Sequence, residues 1–410
     1  MKRALGILAL ACMASCSKRV NFCESDKDCA DPAFPFCDVD GQYAPSGGVA
    51  NTCTIVPPDC PIDRCGCSPG VVMCAMGTLQ TCNPDGMSVT MQACALGCGS
   101  GGTTCATFVP SNSLATALAS AASASLVSIP SGATIDTDAG TVAGTTVAST
   151  VVMVQNSSMR VFAAPSWTLP NLRITGSLPV AFVASGQIQV QGFVELESRA
   201  GSDGAGADTA IACHGANVMG GGGGGGGGGT SGGAGSTGVG GKMATGFSPL
   251  LGGCAGGMSV VGNGGFAGDG GGAIQLVSST DVSIAGVLDV SGAGGGSSAG
   301  GGAGGTVIIE SPTVEITSGG IAADGGGGGG ACGLAGADGG SGDVAAPGGT
   351  CSPSTNSGGN GGAGTIAAQN GVGGGGAVGR ARIATGSGSF EQGAETVMSV
   401  AVTNDTLVPN

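Results

Sequence analysis

The chain is poor in aromatic and charged residues, and these shortages exclude most ordinary arrangements. Aromatic residues make up 3% and charged residues 9% of the 410 residues, with one Trp, one Tyr and one His. Several ordinary globular domains would need more of both kinds. A sugar-stacking groove would have only Trp167 and Tyr43 as amphipathic aromatics, and any His-dependent catalytic triad would have to use His214.

Basic residues are also scarce. Lys and Arg number 12 against 26 Asp and Glu, which gives a formal net charge of −14. Nucleic acids and anionic lipid surfaces are bound through basic patches, which such a chain is poorly equipped to form. We therefore expect no nucleic-acid partner, and the solubility of an exported protein accounts for the acidic balance.

No apolar run reaches the ~20 residues that a membrane-spanning helix needs. The short run at the N-terminus follows Lys2 and Arg3, extends over residues 4–11 and is followed by small residues. This is the layout of a secretory signal. The sequence predicts a signal peptide over residues 1–15 and a tether over residues 16–22.

The stretch Met13-Ala14-Ser15-Cys16 resembles a bacterial lipobox, in which Cys16 becomes the lipidated first residue. Two alternatives remain open: lipidation of Cys12, and plain cleavage after Ala11 with no lipid. The 18 cysteines favour Cys16, because loss of Cys12 and lipidation of Cys16 leave an even number for pairing. Ser17 stands where many lipoproteins retained at the inner membrane have Asp, which implies the outer membrane or cell surface.

Residues 23–109 form a cysteine-rich module. So small a segment has too few large apolar residues for a stable core, and its cysteines predict a disulfide scaffold. The spacings Cys65-x-Cys67 and Cys94-x3-Cys98 also suit zinc, but export favours disulfides, so no metal is expected. The cysteines fall into a group of four and a group of eight: Cys23, Cys29, Cys37 and Cys53, then Cys60, Cys65, Cys67, Cys74, Cys82, Cys94, Cys98 and Cys105.

The run "CSPGVVMCAMGTLQTCNPDGMSVTMQACALGCGSGGTTC", from Cys67 to Cys105, resembles a cysteine-rich repeat of myxobacterial-type surface lipoproteins. The later stretch "GGVGGGGAVGRARIATGSG", a glycine run followed by a basic strand, is similar to the same family. The resemblance covers the chain from Cys67 onward and implies a cysteine-rich, glycine-rich surface lipoprotein. Because that family has no established activity, the resemblance implies no substrate and no cofactor.

Residues 110–410 contain an internal repeat. Three stretches align without gaps: "VAFVASGQIQVQG" from Val180, "IQLVSSTDVSIAG" from Ile274 and "TVIIESPTVEITS" from Thr306. Each reads as two short strands of period two separated by a polar bend. The superposed apolar positions include Phe182, Leu276 and Ile308, and further along Ile188, Val282 and Val314.

Stacked copies would bury one continuous apolar stripe and pair the strand edges. The sequence therefore predicts a mainly β fold, in which a right-handed parallel β-helix-like solenoid with long Gly-rich loops follows the small disulfide-rich module. The first coils are expected within residues 126–183, and a short capping helix within residues 113–125. A β-sandwich with long loops is the alternative architecture.

Glycine runs follow the second strand of each copy, from Gly201, Gly292 and Gly325. If the copies stack, these loops leave from one corner and lie side by side. Ordering a stretch such as Gly220–Gly229 costs more backbone entropy than ordering other residues, so we expect either dense hydrogen bonding between backbones or mobile loops. Within the loops we predict two disulfides, Cys213 with Cys254 and Cys332 with Cys351.

Candidate catalytic and metal-binding residues are few. The match to G-x-S-x-G at residues 296–300 stands in a Gly/Ser tract where chance produces it. A β-helix enzyme could use the pair Glu195 and Glu197, or the pair Arg380 and Arg382, although a solvated strand face explains both pairs. The stretch "DGAGAD" at residues 203–208 approaches a calcium-binding β-roll repeat, but residues 264–269 have the wrong spacing to continue it.

The sequence thus predicts a cell-envelope lipoprotein with a structural or adhesive role, and no catalytic residue, metal or cofactor. Its expected partners are the membrane, through the N-terminal lipid, and an envelope polysaccharide or surface protein. A polysaccharide lyase or hydrolase built on the same β-helix is the alternative function.

Overall fold

A computed structural model describes residues 23–30, 36–39, 51–54, 69–84, 88–199, 202–260, 265–341, 344–352, 354, 357–362 and 371–410. The chain folds as two compact units, Met1–Cys105 and Ala106–Asn410. The second unit begins slightly before the boundary expected from the sequence, because Phe108 pairs with Pro409 near the C-terminus. The predicted signal peptide, the tether with Cys16, and Cys60, Cys65 and Cys67 lie outside the described residues.

The N-terminal unit contains small antiparallel sheets and disulfides. A 3₁₀ turn, Asp26–Asp28, precedes β1 (Phe36–Asp38), which pairs with β2 (Thr52–Thr54); β3 (Val72–Ala75), β4 (Thr78–Cys82) and β5 (Val89–Ala93) form a second sheet. The described disulfides are Cys23–Cys37, Cys29–Cys53, Cys74–Cys98 and Cys94–Cys105, and Cys82 is also disulfide-bonded. Each of these four pairs lies within one of the two cysteine groups, so cross-links supply the stability that so small a core lacks.

The second unit is built of short strands and one described α-helix. Its elements are α1 (Ala115–Ala121), β6 (Ala133–Asp136), β7 (Thr141–Val142), β8 (Thr145–Thr146), β9 (Thr150–Val154), β10 (Ser157–Ala164), β11 (Trp167–Leu169), β12 (Leu172–Thr175), β13 (Val180–Ala184), β14 (Ile188–Val190), β15 (Phe193–Glu195), β16 (Ala273–Ser278), β17 (Asp281–Ile284), β18 (Val287–Asp289), β19 (Thr306–Glu310), β20 (Thr313–Ile316), β21 (Gly319–Ala322), β22 (Arg380–Thr385), β23 (Glu391–Gln392), β24 (Thr396–Met398) and β25 (Val402–Thr406). A 3₁₀ turn, Ile211–Cys213, lies between β15 and β16.

Every third strand pairs in parallel, which produces three sheets. Sheet A has the order β9-β10-β13-β16-β19-β22-β25, sheet B the order β11-β14-β17-β20-β23, and sheet C the order β8-β7-β6-β12-β15-β18-β21-β24. Antiparallel pairs occur only at the first strands of sheets A and C among the described residues. The predictions of a mainly β fold and of disulfides in the N-terminal region are confirmed.

The gapless alignment of the three copies is right for sheet B and wrong by one residue for one strand of sheet A. In sheet B, Ile188 pairs with Val282, and Val282 with Val314. In sheet A, Leu276 pairs with Ile309 and not with Ile308, because the path from β19 to β20 is one residue shorter than that from β16 to β17. A one-residue shift reverses the face of a strand, so Ile309 lies in the core that the sheets share.

The sequence analysis missed a third strand in each copy. These strands are β15, β18 and β21. These strands have only three or four residues, with one central inward apolar side chain, such as Val194 or Leu288. Such a run is too short to show alternation. The glycine runs therefore follow the third strand of each copy, and not the second.

One hydrophobic core lies between the three sheets. The Phe162 and Phe182 rings stack with centroids 5.7 Å apart, and Trp167 meets Phe182 edge to face at 5.2 Å. The Trp167 indole N–H donates to the Val183 carbonyl oxygen at 3.1 Å, so the one Trp is buried with its polar atom satisfied. Helix α1 falls within the segment predicted to be helical and contacts β10 and β13. In the described part of the chain, no helix has the length and apolarity to cross a membrane.

Candidate functional site

The glycine-rich segments pack against one another, and we call this assembly the glycine bundle. It consists of the described parts of residues 202–272, 290–305 and 323–379. Each segment leaves from the end of a strand of sheet C and returns to the next strand of sheet A. Because β15, β18 and β21 are neighbours in sheet C, the three segments start side by side, as stacking predicts.

The stretch Gly220–Gly229 lies inside the bundle and bonds to segments on several sides. Its amides at Gly223 and Gly226 donate to the carbonyls of Ser298 and Gly301. Its other partners also recur every three residues: carbonyls of residues 222, 225 and 228 accept from the amides of residues 238, 241 and 244. Three residues per turn is the period of a polyproline-II chain, which has no hydrogen bonds of its own. The bonds between segments therefore supply the dense hydrogen bonding that order in this stretch requires.

Close approach of backbones explains why these residues are glycines. A Cβ built on Gly225, Gly226 or Gly227 would lie well under 3.0 Å from a carbonyl oxygen of an adjacent stretch of backbone. Those oxygens belong to Gly375, in the segment 323–379, and to Cys254 and Lys242, further along the same segment. Any side chain at these positions would thus push apart two backbones that hydrogen bonds hold together.

Two disulfides cross-link the bundle, and they are the two pairings that the sequence analysis predicts. Cys213 is joined to Cys254, and Cys332 to Cys351, with Cα–Cα distances of 5.7 Å and 5.8 Å. The Cys213 carbonyl also accepts from the Gly227 amide at 2.9 Å. The first disulfide therefore fixes a segment that borders the central glycine stretch.

Three aspartates meet where the bundle joins the sheets. Asp208 accepts a hydrogen bond from the Gly270 amide at 2.9 Å, and Asp269 is hydrogen-bonded to Asp203. Burial, together with the nearby carboxyls of Asp269 and Asp203, raises the pKa of Asp208 to about 7. Burial, together with Asp203, raises the pKa of Asp269 to about 6. The sequence analysis rejected Asp269 as a calcium ligand because residues 264–269 do not continue the spacing of the motif. The fold nevertheless brings Asp269 close to Asp203 and Asp208.

This cluster of aspartates lacks the compactness of a cation site. Within the described ranges, one group of three potential ligand side chains has its ligand atoms within 4.8 Å of one another: Cys23, Cys29 and Cys53. All three sulfurs are already in disulfides, and a thiolate is the form that binds a metal. The partial calcium motif at residues 203–208 therefore gathers interacting carboxyls, but it does not assemble a ligand set.

Glu195 and Glu197 belong to a row of charged residues on sheet C. Arg173 and Asp289 are the register partners of Glu195 on the two adjacent strands, and Arg173 Nη1 lies 3.5 Å from Glu195 Oε2. Glu197 forms an ion pair with Arg199. Burial raises the pKa of Glu197, and Asp289 raises it further; burial also raises the pKa of Asp289.

The expectation of a solvated strand face is therefore wrong for Glu197, whose exposed fraction is 5%. The sequence analysis did not single out Asp289, because strand register alone places it beside Glu195. Glu195 and Glu197 each form an ion pair with an arginine. Opposite charges on sheet C are therefore paired next to the base of the bundle.

Arg380 and Arg382 project from the same face of β22, but that face is covered. Arg380 is 8% exposed, and its guanidinium carbon lies 5.5 Å from the Phe247 ring centroid. Burial lowers the pKa of Arg380. Arg382 lies between Glu310 at 3.0 Å and Asp405 at 2.6 Å. A solvated face is thus the wrong interpretation here too, because these arginines hold chain segments together.

The serine and histidine candidates do not form nucleophilic machinery. Ser298 is 1% exposed and lies in the bundle, where no strand-to-helix turn presents it. A nucleophile elbow needs such a turn. His214 Nε2 lies 3.3 Å from the Asp208 carbonyl oxygen, so the imidazole is hydrogen-bonded to a backbone group.

Comparison with known proteins finds no family model, no curated protein and no solved structure that matches the chain. The function is therefore argued from the glycine bundle and from the charged residues near its base. The resemblance to myxobacterial-type surface lipoproteins stays a prediction, as does the export signal that accompanies it.

Replacing Gly226 with Ala is expected to lower the free energy of unfolding by about 1–3 kcal/mol, because the new methyl group would collide with the Cys254 carbonyl. Gly220→Ala is the matched control, since a Cβ there meets nothing within 4 Å. We expect it to change stability by less than about 1 kcal/mol. Scanning calorimetry of both variants checks this, and equal effects would contradict the packing of backbones in the bundle.

The fold should lose stability as the pH rises from about 4 to about 7. Folded Asp208 and Asp269, with pKa values of about 7 and about 6, bind protons more tightly than carboxyls with the ordinary pKa of 3.8. Their contribution is fully present below about pH 4 and is lost as they ionise. In urea titrations at pH 4 to 8, Asp208→Asn should flatten this decline, because Asn can still accept from Gly270. An unchanged pH dependence in the variant would refute the assignment.

Proposed function

We propose that this chain is a cell-envelope lipoprotein with a structural or adhesive role and no catalytic activity. The observation that supports the proposal most directly is the glycine bundle. Residues 215–241 and 243–268 contain no charged side chain, and backbone hydrogen bonds and two disulfides hold the described parts of the bundle together. Such a surface offers shape and backbone groups to a partner, but little reactive chemistry.

The finer architecture that we propose for the second unit is a right-handed parallel β-helix-like solenoid. The return of every third strand to the same sheet supports it, since stacked coils bury a continuous core in this way. The long glycine loops then extend from one corner of successive coils. Loops arranged in this way can present one continuous surface to a partner.

The basic residues support a non-catalytic role. Arg173, Arg199 and Arg382 are in ion pairs with carboxylates, and Arg380 is buried. Arg160 donates to the Thr137 and Asp138 carbonyls. Among the described residues, few cations are thus left to bind an anionic polymer.

A carbohydrate-active enzyme on the same scaffold is the second candidate. The observation that favours it is the buried Glu197, whose raised pKa suits a general acid, near Glu195. Against it stand the ion pairs of Glu195 with Arg173 and of Glu197 with Arg199, which occupy both carboxylates. The structural or adhesive role therefore remains the conclusion.

The proposed location is the outer membrane or cell surface, with the lipid on Cys16 as the membrane contact. The described disulfides support an oxidising compartment. The proposed partners of the bundle are an envelope polysaccharide or a surface protein. Antibody to the bundle, applied to intact cells of the native host together with a cell-aggregation assay, tests location and role at once.

Wild-type and Cys12→Ser cells should both be labelled and should aggregate more than cells that lack the protein. Cys16→Ser cells should lose the label to the medium and aggregate no more than cells without the protein. Cys12→Ser is the matched control, because Cys12 is the rival lipidation residue. Labelling only after permeabilisation would contradict a surface location, and equal aggregation of all strains would contradict an adhesive role.

A further inference from the structure

Large apolar side chains project from the end of the glycine bundle farthest from the sheets. We call Met219, Met258, Val260 and Phe266 the apolar tip. Their exposed fractions are 91%, 50%, 60% and 83%. Most large apolar side chains of the second unit are instead buried in the core between the sheets. Exposed apolar groups gathered in one place mark an interaction surface more often than scattered ones do.

Hydrogen bonds bring these four residues together although Met219 is far in sequence from the other three. The Val218 amide donates to the Met258 carbonyl at 3.0 Å, and the Val260 amide donates to the Val218 carbonyl at 3.3 Å. Ser259 also pairs with Gly265, which precedes Phe266. The tip is therefore one cluster at a fixed place in the fold.

The next glycine segment shows that this place is the distal end. It leaves the sheets at Val290 and is back at Gly305, whose amide donates to the Val290 carbonyl at 2.7 Å. Its reversal is closed by the Ala299 amide, which donates to the Gly296 carbonyl at 2.9 Å. The Gly296 amide in turn donates to the Phe266 carbonyl at 2.8 Å. Phe266 thus lies beside the turn of the loop.

The stretches of chain that carry the tip contain no charged residue, and this selects the kind of partner. Residues 215–241, 243–268 and 290–309 contain no Asp, Glu, Lys or Arg. A charged partner would find no complementary group there, while the chain as a whole has a net charge of −14 and repels anionic surfaces. The tip can therefore enter an apolar phase without removing a charged side chain from water.

The spacing of the side chains favours lipid over a folded protein. A stable protein interface needs about 20–30 well-fitted residues on each side, and the tip offers four projecting side chains among glycines. A bilayer needs no matching surface, because each apolar side chain that enters it contributes separately. Met219 and Phe266 are the two most exposed of the four side chains.

We propose that the apolar tip binds electrically neutral lipid by inserting Met219, Met258, Val260 and Phe266 into the boundary between head groups and acyl chains. The proposal rests on the adhesive function and deepens it, since it names the binding end of the bundle and the class of its target.

Flotation with phosphatidylcholine vesicles tests this proposal on the full chain with Cys16→Ser, so that no acyl group contributes to binding. The comparison variants add Met219→Ser and Phe266→Ser to that chain. The matched control adds Met153→Ser and Val408→Ser, which replace side chains 67% and 78% exposed away from the tip. Thermal unfolding should be the same for all three proteins, because every replaced side chain is exposed.

We expect the Cys16→Ser chain and the control to float with neutral vesicles, and the tip variant to bind at least about tenfold more weakly. Addition of anionic lipid should not strengthen binding. The proposal is overturned if the Cys16→Ser chain does not float, if the tip variant floats equally well, or if binding requires anionic lipid. Self-association that the tip substitutions abolish, without vesicle binding, would also overturn it and would assign the tip to a second copy. Any of these results leaves surface labelling and aggregation of cells as a separate test of the adhesive function.

Discussion

The close contact of one backbone with another inside the glycine bundle is the constraint on which the second unit depends. Neighbouring strands of a sheet lie about 4.7–4.9 Å apart, so loops that leave β15, β18 and β21 begin at that separation. In a sheet the Cβ atoms point out of the plane, but in the bundle further backbone lies where they would project, as the positions of Gly225, Gly226 and Gly227 show. Packing of backbone on several sides therefore explains why the loops are rich in glycine.

Ordering the glycine bundle costs backbone entropy, and hydrogen bonds and disulfides offset that cost. Each ordered glycine loses about 0.5–1 kcal/mol more than alanine would in backbone entropy. Hydrogen bonds return about 0.5–1.5 kcal/mol each, and the repeated bonds of Gly220–Gly229 to its neighbours supply many of them. The disulfides Cys213–Cys254 and Cys332–Cys351 limit the freedom of the unfolded loops. The bundle can thus be ordered without an apolar core of its own.

Parts of this structure follow from local sequence, and other parts do not. Alternation in the three aligned copies predicted β13, β14, β16, β17, β19 and β20 of sheets A and B, and loop membership predicted both bundle disulfides. The third strand was missed because a run such as Val287–Asp289 is too short to alternate. Ile308 was assigned to the wrong face, since a bend shorter by one residue is invisible in a gapless alignment. The grouping of Asp269 with Asp203 and Asp208 depends on how distant loops pack, which spacing along the chain does not contain.

Hydrogen exchange of the glycine amides tests the central claim most directly. In the full chain, mass spectrometry can follow residues 220–229 beside the strand Ala273–Ser278 of sheet A. Amides that donate to neighbouring segments, such as those of Gly223 and Gly226, should exchange as slowly as the amides of that strand. Exchange of the whole glycine stretch at the rate of an unstructured chain, while the strand stays protected, would contradict an ordered glycine bundle.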